Sequence, residues 1–162
     1  GEGLAAGKQP KSFDVGGVRV SPTICFENTV PHLMRRQVKT LAAAGQDPGV
    51  LVTITNDGWF WGSSALDVHL ACGVFRAIEL RRPLLIAANT GFSAHINPVG
   101  RLVAKGPRRA EAVLTADVTT SALRSPYLIL GDLFPGICLL FVLGALGLEV
   151  YRRVKSPKQV PT

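Results

Sequence analysis

The stretch PTICFEN, Pro22 to Asn28, ends an alternating apolar run with a cysteine, followed at once by an aromatic residue, an acid and a polar turn. A thiol placed where a strand gives way to a helix can be presented to a pocket as a nucleophile. The first helical turn then offers backbone donors and a positive dipole end to a thiolate or an oxyanion. Residue type alone leaves a second role open for Cys25, because free cysteines are among the most often buried side chains and usually only pack. A thiol nucleophile also needs a base. Glu27 is close in sequence, but successive strand residues face opposite ways, so its carboxylate need not reach the sulfur. Nothing in the spacing of His32, His69 and His95 asks any of them to meet Cys25. His69 and Cys72, three apart, could share a metal, yet no other ligand pair completes a site, so neither a metal nor a cofactor is expected.

Two further groups could serve such a site. The turn NDGWFWGSS places Trp59, Phe60 and Trp61 in a glycine-flanked loop. Loops of this kind bind ligands or close over reactive sites, although the rings could also plug back into the core. Arg76, Glu79 and Arg82 recur at intervals of three, the spacing of a salt-bridge ladder on a helix surface, with a pocket wall as the alternative role.

The elements that must position these groups are legible from periodicity. Val18, Val20 and Ile24 alternate with Arg19, Ser21 and Thr23, which predicts a strand over 15–24, and Pro22 within it implies an edge or a bulge. Asn28 or Thr29 could cap a helix running to about Ala44, with Leu33, Met34, Val38, Leu41 and Ala42 on its inner face. VLVTIT, Val50 to Thr55, is continuous and rich in β-branched residues, as a strand buried on both faces should be. Ser64 and Asp67 resemble a capping box for a helix to about Arg82. A strand from Pro83, two short strands joined at 97–100 and a last strand in AVLTADVT complete the order β-α-β-α-β-β-β, an α/β layered domain.

The chain has 162 residues, of which 47% are hydrophobic, and a mean hydropathy of +0.26, high for a purely soluble protein. The apolar excess lies after Pro126, where roughly sixteen uncharged residues follow one another, or about twenty-two if Asp132 is tolerated. That is near the length that spans a bilayer. Tyr127 and Tyr151 flank this segment like interfacial anchors, and Arg152, Arg153 and Lys155 follow, which places the tail in the cytoplasm by the positive-inside rule. A buried terminal helix is the alternative. The formal net charge of +7 is spread along the chain with no aromatic stacking platform, so it suits an anionic membrane surface and argues against nucleic acid. Three widely spaced cysteines, Cys25, Cys72 and Cys138, do not make a disulfide framework. The opening GEGLAAGKQPKS reads as a polar loop, so the chain is expected to be the later part of something longer.

Taken together, ICFE, LVTITNDGWFWGSS, HLACGVFRAIELRRPLLIAANTGFSAHINPVGRL and the terminal apolar segment resemble the later part of the bacterial apolipoprotein N-acyltransferase family, within the nitrilase (carbon–nitrogen hydrolase) superfamily. The resemblance covers about Val18 to Arg153. It implies a nitrilase-like α-β-β-α sandwich, only part of it in this chain (residues 1–124), then a transmembrane helix (127–150) and a basic cytoplasmic tail (151–162). The enzymatic domain would stand on the outer, periplasmic face of the cytoplasmic membrane. The family's nucleophile falls on Cys25, with Phe26, where many members have tyrosine, and Glu27 completing its cysteine-aromatic-glutamate motif. Asn56, Trp59 and Phe60 fall in its Asn-Asp-x-Trp loop and are expected to bind substrate. Arg76, Glu79 and Asn89 match its Arg-x-x-Glu and Asn-x-Gly signatures and are expected as site architecture. The implied partners are a phospholipid acyl donor, a diacylglyceryl lipoprotein acceptor and the membrane. The superfamily's general-base glutamate and its lysine are expected upstream of the cysteine, and this chain contains neither, so on its own it should not turn over. A membrane-tethered nitrilase-like amidase and a non-catalytic membrane-anchored scaffold are the competing roles.

Overall fold

The structure is a computed structural model, described here for residues 7–155. Residues 156–162 of the expected basic tail, and the first six residues of the opening loop, lie outside the described residues. The chain divides into two compact units between Ile129 and Leu130.

The first unit is built on a six-stranded sheet in the order β1 (Phe13–Val15), β2 (Val18–Ile24), β3 (Val50–Thr55), β4 (Leu84–Ala88), β5 (Ala94–Ile96) and β6 (Leu102–Lys105). The central strands β2, β3 and β4 are parallel, and the others pair antiparallel. Parallel neighbours require crossovers, supplied here by α1 (Pro31–Ala43) and α2 (Ala65–Leu80). The strand predicted over 15–24 is in fact a hairpin. Gly16 and Gly17 take φ of +60° and +83°, values that suit the two-residue turn joining β1 to β2. Pro22 lies beyond the last residue of β2 that β1 pairs, so the strand tolerates its missing N–H there.

One face of the sheet is closed. Thr23, Leu51, Thr53, Leu84, Ile86 and Ile96 turn toward the helices, where Met34, Val38, Ala77 and Leu80 complete a buried cluster. Thr23 and Thr53, directly opposite in register, satisfy each other's buried hydroxyls at 2.8 Å. The other face stays partly open: Ile24 and Ile54, paired across β2 and β3, are 57% and 54% exposed. One sheet with helices on one side is one α–β half of the expected sandwich.

Several local expectations are corrected. α1 begins at Pro31, whose missing N–H is harmless in a first turn, while Asn28 is buried in a preceding 3-10 turn, Cys25–Thr29. Ser64 makes no side-chain cap on α2, and Ser63 Oγ instead accepts the Ala65 N–H at 3.3 Å. AVLTADVT forms no strand: residues 106–125 run as an irregular segment. That segment is tied down by Arg82, expected on a surface ladder but fully buried. Its guanidinium donates to the carbonyls of Pro48 and Leu123, both at 2.6 Å, and to both oxygens of Asp47 at 3.0 Å. A buried arginine is stable only when so many acceptors surround it.

The apolar segment contains two helices. α3 (Pro126–Leu130) belongs mainly to the first unit, with Leu128 in the buried cluster and Ser125 Oγ accepting the Leu128 N–H at 2.9 Å. Arg35 donates to the carbonyls of Tyr127, Leu128 and Ile129. After Gly131, at φ +63°, the continuous helix α4 runs Leu133–Lys155. The long apolar helix itself therefore starts at Leu133. Its 23 residues have a mean hydropathy of 2.2 over the most apolar window, and side chains such as Leu140 and Phe141 are exposed. At 1.5 Å per residue it is about 35 Å long, enough to cross a hydrocarbon core of about 30 Å.

Candidate active site

The parallel strands β2, β3 and β4 end side by side, and each is followed at once by a polar or nucleophilic residue: Cys25, Asn56 and Asn89. The carboxyl ends of parallel strands are where open α/β sheets form binding crevices, because the chain leaves the sheet there in loops. Cys25 takes φ +47°, the left-handed region, which costs a non-glycine residue roughly 1–3 kcal/mol and persists only where its surroundings fix it. The turn throws its side chain off the strand's alternation. The Sγ–H points toward the Asn56 carbonyl, at a sulfur–oxygen distance of 4.0 Å.

Glu27 is committed to the turn. Its Oε2 accepts the Ile24 N–H at 2.8 Å, closing the step from strand to 3-10 turn. Phe26 projects outward and is exposed. Asn56 Oδ1 accepts from the Gly58 N–H at 3.2 Å and from Asn89 Nδ2 at 2.7 Å, while Asn89 Oδ1 accepts the Asp57 N–H at 3.0 Å. The two asparagines therefore knit the ends of β3 and β4. In the loop Asp57–Phe60, Trp59 is 76% exposed, and the next residue, Trp61, is 89% exposed, so neither plugs into the core. Phe60 turns inward, its ring edge-on to His69 at 6.1 Å between centroids.

Arg76 and Glu79 form a 2.7 Å ion pair with Arg76 buried. They sit seven and ten residues beyond His69 along α2, about 10–15 Å from it at helical rise, and thus toward the other end of the helix from Cys25. Of the residues singled out from sequence, the structure gathers Cys25, Phe26, Glu27, Asn56, Phe60 and Asn89 at one end of the sheet and leaves the Arg76–Glu79 pair apart.

Two further residues stand at the site: Asp57, which sequence reasoning passed over, and His69, which its spacing gave no reason to place near Cys25. Asp57 is buried, and its Oδ1 accepts from Thr55 Oγ1 at 2.6 Å and lies 3.0 Å from His69 Nδ1. The other ring nitrogen of His69, Nε2, is 3.3 Å from the Cys25 carbonyl oxygen. No spacing rule joins residues 25, 57 and 69; only the βαβ crossovers bring the start of α2 beneath both strand ends. His32 is exposed, and His95 lies on β5. Among the described residues, no carboxylate, imidazole or amine hydrogen-bonds to Cys25 Sγ, and no group of three or more His, Cys, Asp or Glu side chains is placed to hold a metal. The site offers a thiol and groups that position it.

Residues 4–126 match the family model described as carbon–nitrogen hydrolase. The chain is 40% identical over 135 residues to apolipoprotein N-acyltransferase from Geobacter metallireducens, covering 83% of this chain and 25% of that protein. It is 34% identical over 158 residues to the protein of the same name from Bordetella bronchiseptica, covering 95% of this chain and 27% of that one. The chain thus spans about a quarter of the length of these relatives. Among solved structures, it resembles a carbon–nitrogen hydrolase superfamily protein from Xanthomonas campestris that carries an arsenic adduct in its active site. That likeness has a TM-score of 0.62 at 22% identity and covers 79% of this chain and 52% of that one. It extends to the fold.

Proposed function

The chain belongs to the carbon–nitrogen hydrolase family, and from that premise we propose that the complete protein is an apolipoprotein N-acyltransferase with Cys25 as its nucleophile. The observation that carries this reading is the left-handed turn that holds Cys25 at the carboxyl end of β2, beside the ends of two further parallel strands. In the first half-reaction the Cys25 thiolate attacks the carboxyl ester of a phospholipid. The ester carbon–oxygen bond breaks, a lysophospholipid leaves with a proton, and the acyl group stays as a thioester. In the second, the α-amine of a diacylglyceryl-modified cysteine attacks that thioester, the carbon–sulfur bond breaks, and an amide forms as the amine gives up a proton and the thiolate is restored.

Both halves need proton transfer. The Cys25 Sγ partner is a carbonyl, so a base and a cation from the complete protein, the glutamate and lysine that the family resemblance implies, complete the site. The exposed Trp59 offers a flat apolar surface for substrate, with Asn56 and Phe60 shaping the loop beneath it. α4 crosses the cytoplasmic membrane with Arg152, Arg153 and Lys155 on the inner side, which puts the α/β unit on the periplasmic face next to its lipid donor. Another part of the complete protein covers the open sheet face around Ile24 and Ile54 as the second half of the sandwich.

The test is to incubate the complete protein with phospholipid and analyse its peptides by mass spectrometry without reducing agent. An acyl group on Cys25 supports the reading. Acylation of Cys72 or Cys138 with Cys25 bare would overturn it. Adding a diacylated lipopeptide should then move the chain onto its amine; release of free fatty acid alone would mark a hydrolase.

A further inference from the structure

We propose that His69, held by Asp57, is a positioning residue that fixes the left-handed backbone of Cys25 by donating a hydrogen bond to its carbonyl. The inference rests on Cys25 being the nucleophile.

Three observations support it. A main-chain carbonyl can only accept, so at 3.3 Å from the Cys25 oxygen the His69 ring must carry hydrogen on Nε2. Nδ1 lies 3.0 Å from the Asp57 carboxylate, and that contact locks the ring's orientation. Finally, the brace cannot swing, because every member is buried or tied. His69 is 5% and Asp57 2% exposed; Thr55 Oγ1 donates to Asp57 Oδ1, Asn89 Oδ1 accepts the Asp57 N–H, and the Phe60 ring closes the open side of the imidazole. Asn28 Nδ2 donates to the His69 carbonyl at 3.5 Å, joining the turn that contains Cys25 to the same helix start.

The function of such a brace follows from the conformation it holds. A left-handed cysteine relaxes toward ordinary backbone angles unless something opposes it, and relaxation swings Sγ away from the reacting carbonyl. The carbonyl of Cys25 reports the orientation of its peptide plane, so a donor fixed on α2 sets where the sulfur points. The ring touches no reacting atom, so its loss should affect the rate of attack and leave substrate binding unchanged.

The experiment uses the complete protein and measures Cys25 thioester formation at varied concentrations of phosphatidylethanolamine vesicles. In His69→Gln the amide nitrogen takes the place of Nε2, and most of the maximal rate should survive. In His69→Asn the amide reaches Asp57 but stops short of the Cys25 carbonyl, and the maximal rate should fall on the order of 100-fold, the effect of a misplacement near 1 Å. Half-saturation should be unchanged in both. A merely structural histidine would show the two variants equal, or Asn the better; either result overturns the proposal, as does a fall confined to half-saturation. If His69→Asn does not accumulate folded, Asp57→Ala carries the test: the ring loses the partner that holds it against the Cys25 carbonyl, and the same loss of maximal rate is expected, with an unaffected rate refuting the brace. Cys25→Ala separates the two readings, because acyl transfer that survives it would sink the nucleophile assignment, whereas loss in Cys25→Ala with His69→Asn at full rate would sink only the brace.

Discussion

Replacing Gly91 by alanine should disable the site from a position that touches neither the thiol nor His69. Gly91 does not need glycine for its backbone angles; it needs the space. A Cβ there would stand 2.0 Å from Asp57 Oδ2 and 2.9 Å from its Cγ, whereas Cβ atoms essentially never come within 3.0 Å of a neighbour. The carboxylate or the loop must therefore give way by about 1 Å. Moving the carboxylate that far stretches its contacts with Thr55, at 2.6 Å, and His69, at 3.0 Å, to or past the limit of a hydrogen bond. Hydrogen bonds to charged groups contribute about 1.5–3 kcal/mol each, so losing both costs about 3–6 kcal/mol, and partial retreat of the loop brings the expected loss to about 3 kcal/mol. For a unit of this size that lowers the unfolding midpoint by roughly 10 °C. The assay pairs thermal unfolding of the complete protein in detergent with the rate of Cys25 acylation, which should fall on the order of 100-fold. In an Asp57→Ala background the clash is gone and Gly91→Ala should add little. Additive effects of the two substitutions, or an alanine variant with wild-type unfolding and acylation, would refute the coupling of Gly91 to the site through Asp57.

Arg82→Met should destabilise the first unit by about 3–5 kcal/mol, because it strands Asp47 and the Pro48 and Leu123 carbonyls; a denaturant midpoint within error of wild type would contradict this. Arg82→Lys should recover only part of the loss, since an ammonium cannot make the bidentate contact with Asp47. In cysteine labelling from outside the cell, a probe at 106–109 should react and one just beyond Arg153 should not, and equal protection of both would reverse or abolish the crossing assigned to α4. Residues 1–162 expressed alone should show no acyl transfer and should tend to aggregate through the open face at Ile24 and Ile54, while co-expression with the rest of the protein should restore activity; turnover by the isolated chain that is lost in Cys25→Ser would place the base within this sequence.

The βαβαβ order was legible because its signals are local: the β-branched run Val50–Thr55 and the apolar face of α1 lie within single elements. The hairpin at Gly16-Gly17 was equally local, but extending the alternation of Val18, Val20 and Ile24 back to Val15 masks the reversal. AVLTADVT has strand-like composition and forms none, because Arg82 takes the Leu123 carbonyl just downstream and the Ser121 N–H donates to Gly49. Propensity lost there to tertiary hydrogen bonding. At the site, Cys25 could be found because it follows a strand, where loops begin, whereas Asn56 and Asn89 could be found only through the family's loop and Asn-x-Gly signatures. His69 and Asp57 could not, since their partnership depends on how far α2 is displaced along the sheet. The charge spacing of Arg76, Glu79 and Arg82 suggested solvent, yet Arg82 lies past the end of α2, which stops at Leu80, and turns into the core.

The ends of β2, β3 and β4 have a kinetic consequence. Cys25 meets Asn56 across 31 residues, Asn56 meets Asn89 across 33, and Cys25 meets His69 across 44. Each of these contacts needs a crossover of some thirty residues to close first, and loop closure of that length is slow compared with the growth of either helix. On a nascent chain the thiol is therefore an ordinary cysteine on a flexible backbone, free to sample right-handed angles. Its aimed conformation arises only with the assembled sheet. If Cys25 is the nucleophile proposed above, a folding chain beside ester lipids is not acylated at that sulfur until the ends of its strands have been brought together.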